Sequence, residues 1–271
     1  MRGKNLKMKS EMLQEKPLIE KYNDLLLDIG STLMVAGAHC GRIDRNIKRI
    51  ADVFGVDIEI FYSFNGIILT TKMRNNPSET ATHYKRLPSH GVHFGILNEI
   101  SLLSWKVVSD HLNYPHVKRE FEKIKKLSHH KRIQIVLGVG IACASLCILA
   151  KGDFIDATFA FFASMLGILA RQEISKRKFN VMLAISGGAF VTSFIASINV
   201  FYGIGALPEK ALATSVLYLV PGVQLVNAVI DLIEGYVATA IARGFYSGFL
   251  LLCIAAGMAL SILIFGINNF Y

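Results

Sequence analysis

The hydrophobic pattern of the chain changes character near residue 132. Beyond that point, five apolar runs of 17 to 24 residues follow one another with short breaks. A membrane-spanning helix needs about 20 mostly apolar residues, so each run is long enough to cross a bilayer. Five such runs within 139 residues favour membrane spans over a large soluble core of buried helices. The predicted spans are 133–150, 154–170, 180–203, 211–233 and 244–267.

Residues 17–132 have the pattern of a folded domain. Apolar positions recur at helical spacing, and strictly alternating stretches follow, so both helices and strands are expected. Gly55 is the expected C-cap of the second helix, and Asn65-Gly66 the expected turn of a hairpin. The predicted helices begin near residues 18, 42, 96 and 116, and strands are predicted at 56–64 and 67–73, with a further candidate at 81–87.

The predicted fold class is an α-helical polytopic membrane protein, preceded by a small cytoplasmic α+β domain. Three segments follow: a mobile leader at 1–16, the α+β domain at 17–132 with a basic juxtamembrane helix at 116–132, and a five-span transmembrane domain at 133–271. The leader has no apolar core, so it is not read as a cleaved signal peptide.

The distribution of charge orients the spans. Residues 1–132 hold 22 Lys and Arg against 14 Asp and Glu, whereas residues 133–271 hold 7 against 6. Cations cluster before the first span, between the second and third spans, and at Arg243, while the opposite loops carry only Lys151 and Lys210. By the positive-inside rule, the N-terminus is predicted to be cytoplasmic and the C-terminus outside.

The basic helix at 116–132 allows two interpretations. Because it runs directly into a span, an anchor on anionic lipid headgroups is favoured over nucleic-acid binding. The chain therefore predicts contact with the lipid bilayer and no nucleic-acid partner.

Several kinds of chemistry have no support in the sequence. The four cysteines, Cys40, Cys143, Cys147 and Cys253, have no CxxC spacing, and the histidines match no closed zinc pattern, so no metal and no cofactor is predicted. His90, His93, His111 and His116 are interpreted as ordinary surface residues. No Walker loop, GxSxG or HExxH motif occurs, so neither a catalytic site nor ATP-driven transport is expected.

The fourth apolar run contains the most informative pattern. Pro221 and Gly222 interrupt it, because proline removes a hydrogen-bond donor and crowds the preceding turn. Such a break is tolerated in a membrane mainly where protein or a wet cavity shields it. The half-helix after Gly222 would direct its free N–H groups towards that cavity, where anions bind readily.

Four polar residues follow the break on one side of the helix. At 100° per residue they cover about 80° of its circumference. Ionisable groups within a span are costly and usually functional, so these residues are candidates for a substrate or ion pathway; the alternative is a proline kink with polar contacts between helices. The predicted pathway residues are Pro221, Gly222, Gln224, Asn227, Asp231, Glu234 and Arg243, and a candidate facing wall is Ser186, Ser193 and Ser197.

Two stretches of the chain resemble a known family. The run "LVPGVQLVNAVIDLIEGYVATAIARG" resembles the signature of the threonine/serine exporters, and Pro221, Gly222, Asn227, Asp231, Gly235 and Arg243 stand at pattern positions. The run "AGAHCGRIDRNIKRIADVFGV" resembles the opening of the family's cytoplasmic domain. His39 stands where the family usually has Glu, and Cys40 where it usually has Thr.

The resemblance implies an exporter in the bacterial cytoplasmic (inner) membrane, coupled to an ion gradient. With five spans, the chain is similar to the larger subunit of the split form that exports succinate, which implies a small membrane subunit as partner and a small carboxylate as substrate, either threonine/serine or a dicarboxylate. A zwitterion could place its ammonium near Asp231, whereas a dicarboxylate needs two cationic sites, and only Arg243 and Arg171 lie near the membrane. The alternative function is a membrane-anchored enzyme or sensor.

Overall fold

The computed structural model describes residues 16–88, 91–128 and 131–267. Nearly all of the predicted leader, His90 and the C-terminal Tyr271 lie outside the described residues. The chain divides into two compact units: the first holds residues up to Ser128 together with Val226–Arg243, and the second holds His129–Leu225 together with the chain from Gly244 onward. Two parts of the chain that are far apart in sequence thus share the first unit.

The N-terminal part of the first unit is the predicted mixture of helices and strands. The candidate third strand is present, and all four predicted helices are found. The elements are α1 (Leu18–Val35), α2 (Cys40–Phe54), β1 (Val56–Ser63), β2 (Gly66–Met73), β3 (Thr80–Arg86), α3 (Phe94–Ser109) and α4 (Tyr114–Lys125).

Local signals set the ends of several elements. Gly55 caps α2 in the left-handed region at φ 69°, where glycine carries no Cβ penalty, as predicted. The hairpin turn differs from the prediction by one residue: Phe64 and Asn65 form the turn, and Gly66 already pairs with Ser63 as the first residue of β2. Gly66 belongs to the strand because the ring of Tyr84 covers it, and a Cβ there would collide with that ring.

A three-stranded antiparallel sheet in the order β1-β2-β3 packs one face against the helices. The centre of this core is formed by fully buried aliphatic side chains such as Leu26, Ile47 and Leu69. Within it, the amide nitrogen of Asn23 lies within 3.1 Å of the Leu69 and Ala81 carbonyl oxygens and the Thr71 hydroxyl. This buried amide fixes α1 on β2 and β3, since a buried polar group must be hydrogen-bonded.

The basic juxtamembrane segment is not one continuous helix. α4 ends at Lys125, and the next helix begins only at Arg132. The prediction of a single helix over 116–132 was therefore wrong, because the apolar positions of α4 pack on the domain core only as far as Ile124 and no apolar periodicity bridges the gap.

The remaining elements contain the predicted spans. They are α5 (Arg132–Leu149), α6 (Phe154–Lys176), α7 (Val181–Tyr202), α8 (Pro208–Ser215), a 3₁₀ turn (Leu217–Leu219), α9 (Gly222–Ile233) and α10 (Val237–Phe265). Among the described residues, α5, α6, α7 and α10 are long and apolar enough to cross a membrane, and a fifth span results if the bent pair of Pro208–Leu219 and Gly222–Ile233 counts as one.

The predicted helix break lies at the Pro-Gly pair. The two halves of the bent pair meet at 62°. Val220, the residue before the proline, is extended at φ −60° and ψ 127°, because a following proline ring disfavours the helical region. Leu225 N–H then bonds to the Pro221 carbonyl, so α9 begins at once after the break.

The last helix is longer than predicted. α10 begins at Val237, seven residues before the predicted start of the fifth span, so Arg243 is helical rather than part of a loop. Hydropathy alone placed the start of the fifth span directly after the charged residue Arg243. Arg243 is only 5% exposed, but its charge is paired with Asp231, which offsets the cost of burying a cation in the helix.

Candidate functional site

The polar residues of α9 lie on its buried face. Within this helix the buried side chains are Asn227, Ala228 and Asp231, while Val226 and Val229 are more than half exposed. Gln224 is half-buried, and Glu234 follows directly after the helix. The predicted shared face is therefore confirmed for Asn227 and Asp231, whereas Glu234 lies beyond the end of the helix.

Asp231 is at the centre of this site and is fully buried. Its Oδ1 accepts a hydrogen bond from the backbone N–H of Cys40 at 2.7 Å. Its Oδ2 accepts one from the Arg243 guanidinium at 2.8 Å. A buried carboxylate is stable only when paired and fully hydrogen-bonded, and both oxygens meet that condition here.

The site also holds the connection between α1 and α2. This short segment turns at Gly37, whose φ of 97° leaves its carbonyl oxygen and that of Ala38 free of helical partners. Asn227 donates to the Gly37 carbonyl at 2.8 Å, and Arg243 donates to the Ala38 carbonyl at 3.1 Å. Two sequence stretches separated by about 190 residues are thus joined by three hydrogen bonds.

Glu234 forms a second, more exposed contact with the same helix start. One carboxylate oxygen lies 3.0 Å from His39 Nδ1, and the other accepts from Arg45 at 3.0 Å. Partial burial opposes ionisation of Glu234, but the hydrogen bonds from Arg45 and His39 outweigh it and hold the pKa of the carboxyl below its usual value. A Cβ at Gly41 would collide with this carboxylate, so glycine allows the close approach.

His39 has two competing partners at one ring nitrogen. As the N-cap of α2, its Nδ1 lies 3.3 Å from the Arg42 N–H, and the same atom faces Glu234. A protonated Nδ1 donates to the carboxylate, whereas an unprotonated Nδ1 accepts from the amide. One atom cannot do both, so the tautomer of His39 decides whether Nδ1 caps α2 or bonds Glu234.

Cys40 is a buried thiol at the first position of α2. Burial and the neighbouring Asp231 carboxylate raise its pKa to about 12. The thiol is therefore neutral at physiological pH, and its backbone amide is the group that takes part in the site.

The same residues form a group with the ligand types of a metal site. The ligand atoms of His39, Asp231 and Glu234 lie within 4.8 Å of one another. Both Asp231 oxygens, however, already accept from N–H donors, and both Glu234 oxygens are in contact with His39 or Arg45. A cation would have to displace these donors, so the arrangement fits an ion-pair network better than a metal centre.

The predicted serine wall packs against α10. Ser186 donates to the Cys253 carbonyl at 3.0 Å, and Ser197 lies 3.3 Å from the Ser261 hydroxyl. Ser193 bonds within its own helix, to the Ala189 carbonyl. Gln224 accepts from Ser247 at 3.4 Å. The part of these residues in transport stays a prediction.

Two polar clusters of the second unit were not identified from the sequence. Asp156 is fully buried and accepts from the Asn199 amide at 3.0 Å and the Leu207 N–H at 2.9 Å. The second cluster lies at Gly167, one turn before Arg171 on α6, and consists of the hydroxyls of Tyr218 and Thr192, which are 3.0 Å apart. An acidic residue at position 156 within a predicted span was the available signal for the first cluster.

A cavity of about 930 Å³ lies in the first unit, away from α9. Charged side chains of both signs line it. Asp24 pairs with Lys16 at 2.6 Å and with His83 at 2.8 Å, and Asp28 pairs with Lys85. The charges of Asp24 and Asp28 are therefore balanced by cationic side chains within the cavity lining.

Comparisons with known proteins agree with the sequence resemblance. A family model described as "Putative threonine/serine exporter" matches residues 24–265. The chain is 29% identical over 241 residues to a protein of Klebsiella aerogenes named "Probable succinate transporter subunit YjjP", covering 88% of this chain and 91% of that one. The protein of the same name in Escherichia coli (strain K12) is 28% identical over 249 residues, with 90% and 95% covered. No solved structure matches the chain.

Proposed function

Because the chain belongs to the putative threonine/serine exporter family, we propose that it is the larger subunit of a two-chain exporter of small carboxylates in the bacterial inner membrane. The two relatives named as succinate transporter subunits support a dicarboxylate such as succinate as substrate. A partner membrane subunit, smaller than this chain, completes the transporter.

The observation that carries this proposal is the buried ion pair of Asp231 and Arg243 beside a broken helix. An ionised pair in an apolar segment is expensive to desolvate, and breaking it is costly, so it marks a functional position more often than a stabilising one. The pair is bonded to the start of α2 through Cys40 and Ala38. Movement of α9 therefore changes the contacts of the N-terminal domain directly.

The substrate and ion pathway is proposed to follow the break and the polar face of α9. Its residues are Pro221, Gly222, Gln224, Asn227, Asp231, Glu234 and Arg243. In this arrangement Asp231 and Arg243 neutralise each other, so Asp231 is poised to exchange Arg243 for a proton or another cation. Such an exchange would couple export to an ion gradient.

A count of the crossings supports five spans and a cytoplasmic N-terminal domain. The domain leads directly into α5, and residues 227–243 bond back to the domain through Gly37, Ala38 and Cys40. The chain must therefore return to its starting side before α10. With α5, α6 and α7 as three crossings, this return favours the bent pair as the fourth crossing over a re-entrant loop. α10 then ends on the opposite side, and the positive-inside rule makes that side the exterior.

The test is export by the reconstituted protein. Proteoliposomes with this chain and its partner subunit should transport radiolabelled succinate, whereas liposomes with this chain alone should not, because half of a transporter leaves the pathway incomplete. L-serine is the second probe and decides between the two substrate classes. Transport by this chain alone would contradict the two-chain model, and transport of neither probe by the complex would contradict an exporter of small carboxylates.

A further inference from the structure

The second unit contains a guanidinium group without a counter-charge. Arg171 lies in α6, and no side chain in the described ranges 16–88, 91–128 and 131–267 forms a hydrogen bond or ion pair with its guanidinium. Arg243, the other cation that the sequence offered for a carboxylate substrate, is already bonded by Asp231 and Ala38. Arg171 is half-buried in a helix long and apolar enough to cross a membrane, where an unpaired charge is costly.

The surroundings of Arg171 are tightly built. A Cβ added at Gly188 of α7 would lie 3.0 Å from the Arg171 Cβ and 3.7 Å from Leu219 Cδ2. The base of the arginine side chain thus rests on α7 beside the 3₁₀ turn that precedes the helix break. The absence of a side chain at Gly188 creates the space that this arrangement needs.

Hydroxyl groups continue the same polar site. Gly167 lies four residues before Arg171, one turn away on the same face of α6. A Cβ at Gly167 would collide with Thr192 Oγ1 and lie 2.6 Å from the Tyr218 hydroxyl. Tyr218 and Thr192 are themselves 3.0 Å apart, and Thr192 also donates to the Gly188 carbonyl. Since a hydroxyl has one proton, Tyr218 must be the donor to Thr192.

The Tyr218 hydroxyl lies against Gly167, one turn before Arg171 on the same face of α6, and is bonded to Thr192. Tyr218 belongs to the short turn that ends two residues before Pro221. The half-helix α9 begins directly after the proline, with N–H groups that lack intrahelical acceptors. The 3₁₀ turn therefore lies beside the base of the Arg171 side chain and leads directly into the start of α9.

We propose that Arg171 binds a carboxylate group of the exported substrate, with Tyr218 positioning its guanidinium beside the Pro221–Gly222 break. This assignment rests on the proposed function and names the anion site within it. The planar guanidinium fits a carboxylate through two parallel hydrogen bonds, and the anion supplies the counter-charge that the described part of the chain does not. The competing interpretation is a cation that extends to the lipid headgroups and serves only to orient the helix.

The experiment measures the concentration dependence of succinate export by the full complex in proteoliposomes. Arg171→Gln should raise the KM by roughly 10- to 100-fold, the range of a lost charge-assisted hydrogen bond. Arg171→Lys should lie between the parent and Arg171→Gln, because it keeps the charge but loses the paired geometry. Tyr218→Phe should raise the KM a few-fold without removing the charge.

The matched control is Arg177→Gln, which removes one cation from the exposed end of the same helix. It should leave the KM unchanged. Binding is checked independently, because succinate should raise the melting temperature of the parent complex but not of the Arg171→Gln complex.

The outcomes separate the two claims. A parent complex that exports succinate, together with an Arg171→Gln variant of unchanged KM, would overturn the carboxylate site and leave the exporter intact. If Arg171→Gln and Arg177→Gln lower the amount of inserted protein equally and change nothing else, Arg171 only orients the helix. That result would also overturn the carboxylate site. If Arg171→Gln is not inserted, an unchanged KM of Tyr218→Phe overturns the proposal. A parent complex that exports neither succinate nor L-serine would overturn the proposed function itself.

Discussion

At the scale of single residues, Asp231 determines how the candidate site is held together. It joins the Arg243 side chain to the first amide of α2, and it is completely buried. A substitution at this position therefore affects both charge balance and the packing of a helix start.

Asp231→Asn tests this role, because it keeps the shape and one acceptor oxygen but leaves Arg243 buried without a counter-charge. We expect a loss of about 3–5 kcal/mol in unfolding free energy, the usual cost of breaking a buried pair. Export per inserted molecule should fall as well. Leu232→Ala, at the exposed neighbouring position, is the control in thermal unfolding and export assays. Export at the parent rate would show that Asp231 serves packing alone.

Glu234 gives the site a dependence on pH. Its folded-state pKa is lowered, so its contribution to stability is fully present above the unfolded value of about 4.3 and is lost as pH falls through the folded pKa. The charged and titratable groups around it are His39, Arg45, Asp231 and Tyr236. Stability should therefore decrease on acidification below about pH 4.3.

Glu234→Gln should lower the melting temperature at neutral pH. It should also reduce the loss of stability on acidification, because the substituted amide does not titrate. Melting temperatures of both proteins between pH 3 and pH 8 provide the measurement. If the variant loses as much stability on acidification as the parent protein, other carboxylates cause that loss.

At the scale of secondary-structure elements, the bend of 62° between Pro208–Leu219 and Gly222–Ile233 is the main feature. It depends on Pro221 and on the extended conformation of Val220. Gly222 contributes less, because its φ is not positive and a Cβ there would meet nothing within 4 Å.

Pro221→Ala should straighten the span and lower export, since alanine restores the missing donor and removes the restriction on Val220. Val226→Ala, at an exposed position of α9 outside the proposed pathway, is the control and should change neither the bend nor export. Spin labels at positions 217 and 229, both on exposed side chains, report the bend as a distance between the two halves. An unchanged distance in Pro221→Ala would place the cause of the bend in tertiary packing.

At the scale of the whole molecule, the two compact units share one continuous chain that passes between them several times. Residues 226–243 belong to the first unit although they lie between apolar helices of the second. The number of membrane crossings between the two ends of the chain can be tested by experiment.

The topology can be measured with reporter fusions. A phosphatase active only outside the membrane, fused after Ile267, should be active, whereas the same reporter fused before α1 should not, because the proposed topology has five crossings between the two ends. Activity at both fusions, or at neither, would require an even number of crossings and a re-entrant bent pair.

Much of this protein could be predicted from its sequence, because the relevant signals are local. The presence of the long apolar helices, the alternation of the strands, Gly55 as a cap and the break at Pro221 all follow from the chain's own periodicity and backbone chemistry. The shared face of Asn227 and Asp231 is likewise a consequence of helical geometry. Errors arose at boundaries, as at Gly66 and at the start of α10, where a covering ring or a buried partner outweighs the local pattern.

Only the tertiary structure decided what the polar residues bind. The sequence predicted a functional face on α9, but not that Asn227, Asp231 and Arg243 bond to the connection between α1 and α2. It placed Arg243 among the pathway residues and named Arg171 only as a second cation near the membrane. The fold pairs Arg243 with Asp231, whereas Arg171 has no ion-pair partner among the described residues. The physical reason is that the repeat of a helix fixes which side chains share a face, whereas the partner of that face is set by chain segments about 190 residues away, whose approach no local pattern records.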